Sequence, residues 1–192
     1  MKISREGIQK IIGYIVVIGV IALLTCAILF FQNRSVQNKG KYAELIKDGV
    51  LYEVAKVLDG DTLVANVAGK EVIVRLIGMD TPEVVDPRKP VQCYGPEASA
   101  KAKEVLSDKK IYLEKEKSKG NYDIYGRVLA YAKFVDGSLY NQYMIENGFA
   151  KEYTFNSEKY KYQKEFRDAQ KKAKKEKVGM WGSCLEKLGS TR

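Results

Sequence analysis

Residues 50–77 read Val50-Leu51-Tyr52-Glu53-Val54-Ala55-Lys56-Val57, Leu58-Asp59-Gly60-Asp61-Thr62, Leu63-Val64-Ala65-Asn66-Val67, Ala68-Gly69 and Lys70-Glu71-Val72-Ile73-Val74-Arg75-Leu76-Ile77. Three β-rich runs are separated by two clusters of turn formers, Asp59-Gly60-Asp61 and Ala68-Gly69, so the stretch predicts a three-strand meander. Beyond it, Val84 to Tyr94 holds Pro87 and Pro90, which preclude regular structure. Gly95-Pro96-Glu97 then opens a helix, with Pro at its first position and an acid in its first turn. Ala98, Ala102 and Val105 give that helix its buried stripe.

Strand character resumes over Lys110 to Lys115 and Arg127 to Val135, on either side of the polar loop Lys117 to Tyr122. One helix follows from Leu139 to Asn147, stopping at Gly148. A second, from Ser157 to Lys177, carries Tyr162, Phe166, Ala169 and Ala173 at helical spacing before Val178-Gly179. The expectation is an α+β protein: an OB-fold, a five-stranded β-barrel with three helices. That architecture often receives oligonucleotides, but fold alone does not fix function.

Upstream of the meander, Ile11 to Phe31 contains no charged residue. At about 1.5 Å per residue such a helix crosses a hydrocarbon core of about 30 Å. The run is longer than the apolar region of a cleavable signal peptide and does not end in a small-x-small site. Thr25-Cys26 lacks the small residue of a lipoprotein site and is followed by more apolar residues. The chain therefore divides into a short segment 1–10, a transmembrane helix 11–31, a polar linker 32–47, a folded domain 48–185 and a tail 186–192. Lys2, Arg5 and Lys10 before the span balance Arg34, Lys39 and Lys41 after it, so charge counting leaves the orientation open.

The 192 residues carry 33 basic and 24 acidic side chains, a formal charge of +9. The first forty hold five basic residues and one acid, which leaves 28 against 23 for the remainder. Such an excess favours polyanions, although many basic proteins never touch nucleic acid. Nine Lys/Arg fall between Lys159 and Lys177, interspersed with Glu158, Glu165, Asp168 and Glu176, and read as a solvated helix face. The absence of histidine removes the commonest general base, His-ligated metal sites and Ser-His relays. Cys26 lies in the apolar run, and Cys93 and Cys184 lie in the polar remainder without C-x-x-C spacing, which argues against zinc. Those two are either reduced and packed or joined in a disulfide if the domain lies outside the cytoplasm.

Asp59-Gly60-Asp61-Thr62 alone is a turn, and Asp80-Thr81-Pro82-Glu83 alone is another. Hairpin connection brings strand ends together, however, so Asp61 and Asp80 can offer carboxylates to one hard cation such as calcium or magnesium. Arg75 alternates with Ile73 and Ile77 and needs a partner: either a nearby carboxylate or a phosphate that suits its fork. Arg127, in Asp123-Ile124-Tyr125-Gly126-Arg127, poses the same choice. Two metal carboxylates, a third at Glu83 and two arginines are what phosphodiester hydrolysis requires without histidine.

Five ordered blocks carry a family resemblance: Val57-Leu58-Asp59-Gly60-Asp61-Thr62; Val74 to Glu83; Tyr94-Gly95-Pro96-Glu97-Ala98-Ser99-Ala100; Tyr125-Gly126-Arg127 with Leu129-Ala130-Tyr131; and Ala173 to Lys177 before Trp181. From about Leu51 to Trp181 the chain resembles staphylococcal nuclease and its thermonuclease relatives. The resemblance implies calcium as cofactor, with Asp61, Asp80 and the Thr81 carbonyl as ligands, and Arg75, Glu83 and Arg127 as catalytic residues. It implies DNA and RNA as substrates, single strands preferred, and products ending in 3′-phosphate. Tyr125 and Tyr153 match tyrosines that contact the bound nucleotide. Phe155 stands where the family has another tyrosine, and Ile124 where it has a basic residue, so two hydrogen-bond donors are lost while stacking faces remain.

The alternative is a non-catalytic nucleic-acid-binding OB module, which would not explain the joint presence of Asp61, Arg75, Asp80, Glu83 and Arg127. A nuclease anchored beside the cell's own nucleic acid would be hazardous, so the expected location is the cell membrane, single-pass, with the domain extracytoplasmic and open to release by proteolysis. No protein partner is expected.

Overall fold

In the computed structural model the described residues are 18–26, 42–84, 90–116, 118 and 120–189. The chain divides into two units, residues 1–41 and 42–192. In the first, residues 18–26 form helix α1. The rest of the expected span, residues 11–17 and 27–31, lies outside the described residues, and among the described residues no helix is long and apolar enough to cross a membrane.

The second unit is built on a closed barrel. Its strands are β1 (Leu51–Asp59), β2 (Thr62–Val67), β3 (Lys70–Leu76), β5 (Lys110–Glu114) and β6 (Val128–Lys133), in the order β1-β2-β3-β6-β5. Every pair is antiparallel except β3 with β6, which run parallel. In β1 the in-out alternation that buries Tyr52 and Val54 breaks at Ala55-Lys56, and Val57 turns inward. The β1–β2 register shifts there, between Val54 and Lys56, as a bulge that bends the strand and helps a five-stranded sheet close. The β2–β3 turn, Ala68-Gly69, has φ of 51° and 75°. Both residues are thus left-handed, as a tight two-residue hairpin demands.

The helices pack around this barrel. Helix α2 (Tyr42–Leu45) lies ahead of the sequence-based boundary at Asp48, and Ala43 and Ile46 are buried in the core, so the fold extends into the expected linker. Tyr122 Oη accepts the Ala43 N–H at 2.7 Å and ties that segment to the loop before β6. Helix α3 (Gly95–Leu106) buries Ala98, Ala102 and Leu106, with Val105 only partly covered. Helix α4 (Tyr140–Glu146) buries Tyr140, Met144 and Ile145. Helix α5 (Gln163–Lys175) buries Phe166, Ala169 and Ala173. It starts later than its apolar spacing suggested, because residues 155–157 form a separate 3-10 turn. Helix α6 (Met180–Gly189) was not anticipated, nor was the small sheet of β4 (Met79–Asp80) with β7 (Lys151–Glu152).

One buried acid holds the C-terminal elements against the barrel. Glu116 accepts hydrogen bonds from Tyr131 Oη, from the Lys161 N–H at 2.7 Å, and from the Ser118 N–H at 3.0 Å and hydroxyl at 2.9 Å. Burial pushes its pKa up, but these donors outweigh burial and hold it at about 2, against an ordinary 4.5. A depressed folded-state pKa contributes stability above about pH 4.5, and that contribution fades as pH falls toward 2.

Two outcomes are expected. Glu116→Gln destabilises the native chain by about 1–3 kcal/mol at pH 7, and urea denaturation repeated at pH 3 shows a smaller gap between variant and native. Replacing Ala68 by Asn, which tolerates left-handed backbone, raises stability by about 0.5–1 kcal/mol, measurable as a higher melting temperature.

Candidate active site

The barrel's pairing registers gather the site. Thr62, beside Asp61, stands opposite Arg75 across β2 and β3. Arg75 in turn stands opposite Leu129 across the parallel pair, two residues beyond Arg127. Asp80 lies in β4 opposite Lys151 of β7, and the Tyr153 N–H donates to the Gly78 carbonyl at 3.1 Å. Residues from 59 to 155 therefore meet at one end of the barrel.

Arg75 forms the centre. Its guanidinium pairs with Asp61 at 2.8 Å and with Asp80 at 3.3 Å, and also donates to the Asp61 carbonyl at 3.3 Å. Asp61 is 7% exposed and fully engaged. Its Oδ1 accepts the Thr62 hydroxyl at 2.9 Å, and its Oδ2 accepts the Thr81 N–H at 3.0 Å and hydroxyl at 3.2 Å. Asp61, Arg75, Asp80 and Thr81 are thus brought into direct contact. Lys151 lies 3.8 Å from Asp80.

The negative charge is dense. Burial raises the Asp59 pKa to about 6; the Gly60 N–H opposes this, and the carboxylates of Asp61 and Glu83 push it further up. Burial and then Asp61 also raise Asp80. Asp59, read from the sequence as a turn residue alone, belongs to this cluster. Glu83 is coupled electrostatically to Asp59 and Asp80, and its Oε1 accepts the Val84 N–H at 3.0 Å.

Packing fixes the turn that carries Asp61. A Cβ on Gly60 would fall 2.5 Å from the Thr81 Cγ2, so only glycine lets the two turns approach. From below, the buried Tyr140 Oη donates to the Gly60 carbonyl at 2.7 Å.

Arg127 is the second cation. Its Nε pairs with Asp123 at 2.6 Å, and Asp123 also accepts the Arg127 N–H at 2.9 Å. The guanidinium lies 5.3 Å from the Tyr125 ring centroid. Asp123 was not singled out in the sequence, where a turn-forming Asp has an ordinary explanation.

Arg75, Asp80, Arg127, Tyr125, Tyr153 and Phe155 line one groove of about 630 Å³. Its rim is apolar and open: Tyr125 is 72% exposed, Phe155 54% and Ile124 88%. Asp61, Thr81 and Glu83 are not on its wall; Asp61 adjoins it through Arg75, and Thr81 through Asp61. Cys93 and Cys184 are joined in a disulfide with Cα atoms 5.9 Å apart, away from the groove.

A five-stranded barrel presenting carboxylates and two arginines on an open groove suits a protein acting on phosphodiesters. Residues 73–183 match the family described as staphylococcal nuclease homologue. A thermonuclease of Staphylococcus hyicus is 35% identical over 175 residues, 89% of this chain and 96% of the relative. A thermonuclease of Staphylococcus intermedius is 35% identical over 164 residues, 85% and 95% of the two chains. Endonuclease YncB of Bacillus subtilis (strain 168) is 36% identical over 150 residues, 78% and 70%. The chain belongs to the staphylococcal nuclease family, and its relatives support nuclease activity.

Tyr140→Phe deletes the bond beneath the Asp61 turn. Leaving the buried Gly60 carbonyl without its donor is expected to cost about 1–3 kcal/mol, read from the shift in urea midpoint.

Proposed function

We propose that this chain is a calcium-dependent nuclease that hydrolyses DNA and RNA, preferring single strands, and leaves 3′-phosphate ends. The observation that carries the reading is Arg75 held between Asp61 and Asp80 on the groove shared with Arg127.

The donor set fits a hard divalent cation. Asp61 and Asp80 offer only oxygen, and the carboxylates of Asp59 and Glu83 lie close enough to interact electrostatically with the pair. Among the described residues no group of three or more acidic, His or Cys side chains is placed to hold a metal. The remaining ligands would then be the Thr81 carbonyl and water. Bound calcium would supply Lewis-acid neutralisation of phosphate charge.

The chain's own groups do the rest. Arg75 and Arg127 donate to the non-bridging phosphate oxygens as charge builds on phosphorus. Glu83 orients the attacking water and takes its proton. In-line attack forms a P–O bond to the water oxygen as the P–O5′ bond breaks; the departing O5′ takes a proton from solvent, giving a 5′-hydroxyl and a 3′-phosphate. Tyr125, Tyr153 and Phe155 offer faces on which bases stack, which needs no hydroxyl and favours unpaired strands.

The further proposal places the chain in the cell membrane through residues 11–31, with the nuclease domain extracytoplasmic. The uncharged run supports the anchor. The exported position rests on the hazard of an intracellular nuclease and is consistent with the Cys93–Cys184 bond.

Two experiments test this. The full chain in detergent should cleave single-stranded DNA and RNA with calcium and not with excess chelator, and Arg75→Ala and Glu83→Ala should each lower kcat by about 100- to 1000-fold. Calcium-independent cutting, or cutting undiminished in both variants, rejects the mechanism. Protease shaving of intact cells should remove the domain, and a domain left uncut rejects the exported orientation.

A further inference from the structure

The segment that follows Glu83 in space is built as a clamp on it. The Glu83 N–H donates to Gln92 Oε1 at 3.0 Å, and the Gln92 N–H donates back to the Glu83 carbonyl at 2.9 Å. One side chain and one backbone amide thus hold both backbone polar groups of Glu83. The Gln92 carbonyl accepts the Gly95 N–H at 3.0 Å, which joins the clamp to the first turn of α3. Contact there is close: a Cβ on Gly95 would lie 3.2 Å from the Glu83 carbonyl oxygen and 3.3 Å from that of Pro82.

Cys93 is the residue after Gln92, and its disulfide to Cys184 ties the clamp to α6, 91 residues away. Helix α6 is fixed in turn: the Met180 N–H donates to the Gly148 carbonyl at 3.0 Å, at the end of α4. Tyr94, next in sequence, stacks on Phe149 at 5.6 Å. Helix α4 also carries the Tyr140 that supports the Gly60 turn. The turn bearing Asp61 and the clamp on Glu83 are therefore referenced to the same helix.

We propose that Gln92 is a positioning residue for Glu83, and that the Cys93–Cys184 disulfide holds Gln92 in place, so that turnover depends on the bond being intact. This rests on the proposed role of Glu83 in handling the attacking water. The disulfide acts through Gln92, its neighbour in sequence. Reduction by a dithiol breaks the S–S bond and leaves two thiols; the dithiol gives up two electrons and two protons and closes into its own disulfide. A short segment carrying exposed Gln92 then keeps only local bonds to Glu83. A small misplacement of a group that must meet a water in line with phosphorus lowers kcat while leaving substrate binding alone.

The test uses the full chain in detergent with calcium and a single-stranded oligonucleotide. Gln92→Met keeps the length of the side chain and removes the acceptor; kcat should fall about tenfold with KM unchanged, and hydrogen exchange at the Glu83 amide should accelerate. Gln92→Glu restores an acceptor oxygen and should recover kcat to within about twofold of native. Dithiothreitol should lower native kcat by a factor similar to Gln92→Met, and should add less than about twofold in that variant, because both act on one contact. Native kcat in Gln92→Met overturns the positioning role. Native kcat after reduction, or loss of the circular dichroism signal on reduction, overturns the role of the bond as a positioner. Absence of hydrolysis by the native chain rejects instead the reading of the site, while Glu83 amide exchange still reports on the clamp.

Discussion

Arg75 between Asp61 and Asp80 is the constraint on which the rest of the site depends. Both Arg75 and Asp61 are largely withdrawn from solvent, with side chains 15% and 10% exposed. Removing one member of such a group strands the others in a medium that solvates charge poorly, so the interaction is costly to break whatever its net worth when intact. The surplus of acid is visible at Asp59, whose pKa of about 6 reflects burial together with the carboxylates beside it. The barrel end carries more negative charge than one guanidinium neutralises, an arrangement with little value for stability and considerable value for attracting cations.

Barrel topology makes that arrangement inevitable once the strands are in register. Thr62 opposite Arg75 and Arg75 opposite Leu129 place the Asp61 turn, the end of β3 and the Arg127 loop side by side, although the residues span 66 positions of sequence. The parallel β3–β6 pairing brings the strand that follows the second arginine alongside the strand that carries the first. The two-residue β4–β7 ladder then lays Tyr153 against Gly78 and carries the aromatic rim to the same groove.

Much of this was legible in the sequence because it is written in periodic signals. Tyr52 and Val54 in β1 and Val72, Val74 and Leu76 in β3 alternate as half-buried strands do, and Asp59-Gly60-Asp61 and Ala68-Gly69 mark the turns. What could not be read lacks a period. β4 and β7 are two residues each, below any repeat, and exist through pairing with each other. Tyr42–Leu45 is a single turn whose burial of Ala43 follows from the barrel it covers. The late start of α5 reflects the 3-10 turn at 155–157, which the spacing of Tyr162 and Phe166 does not reveal. Leu106 is buried more deeply than Val105, which packs against the core only in part, because helix rotation is set by the partner surface as well as by the stripe. Asp59 and Asp123 carry no functional signal in the sequence for a common reason: Asp in a turn explains itself locally, and only the folded chain shows which charges it meets.

The groove divides its labour by exposure. Charged groups near the barrel end are tightly paired, Arg75 with two carboxylates and Arg127 with Asp123, and so hold their geometry before any ligand arrives. The outer wall is the opposite: Ile124, Tyr125 and Phe155 present large, mostly exposed apolar surface that gains nothing from water. Arg127 joins the two regimes, anchored by Asp123 on one side and lying against the Tyr125 ring on the other. A polymer with a charged backbone and flat apolar bases matches both regimes at once, phosphate toward the guanidinium groups and base toward the rings. Double-stranded polymer would have to give up its stacking to do so, and the open aromatic rim therefore fits the proposed preference for unpaired strands.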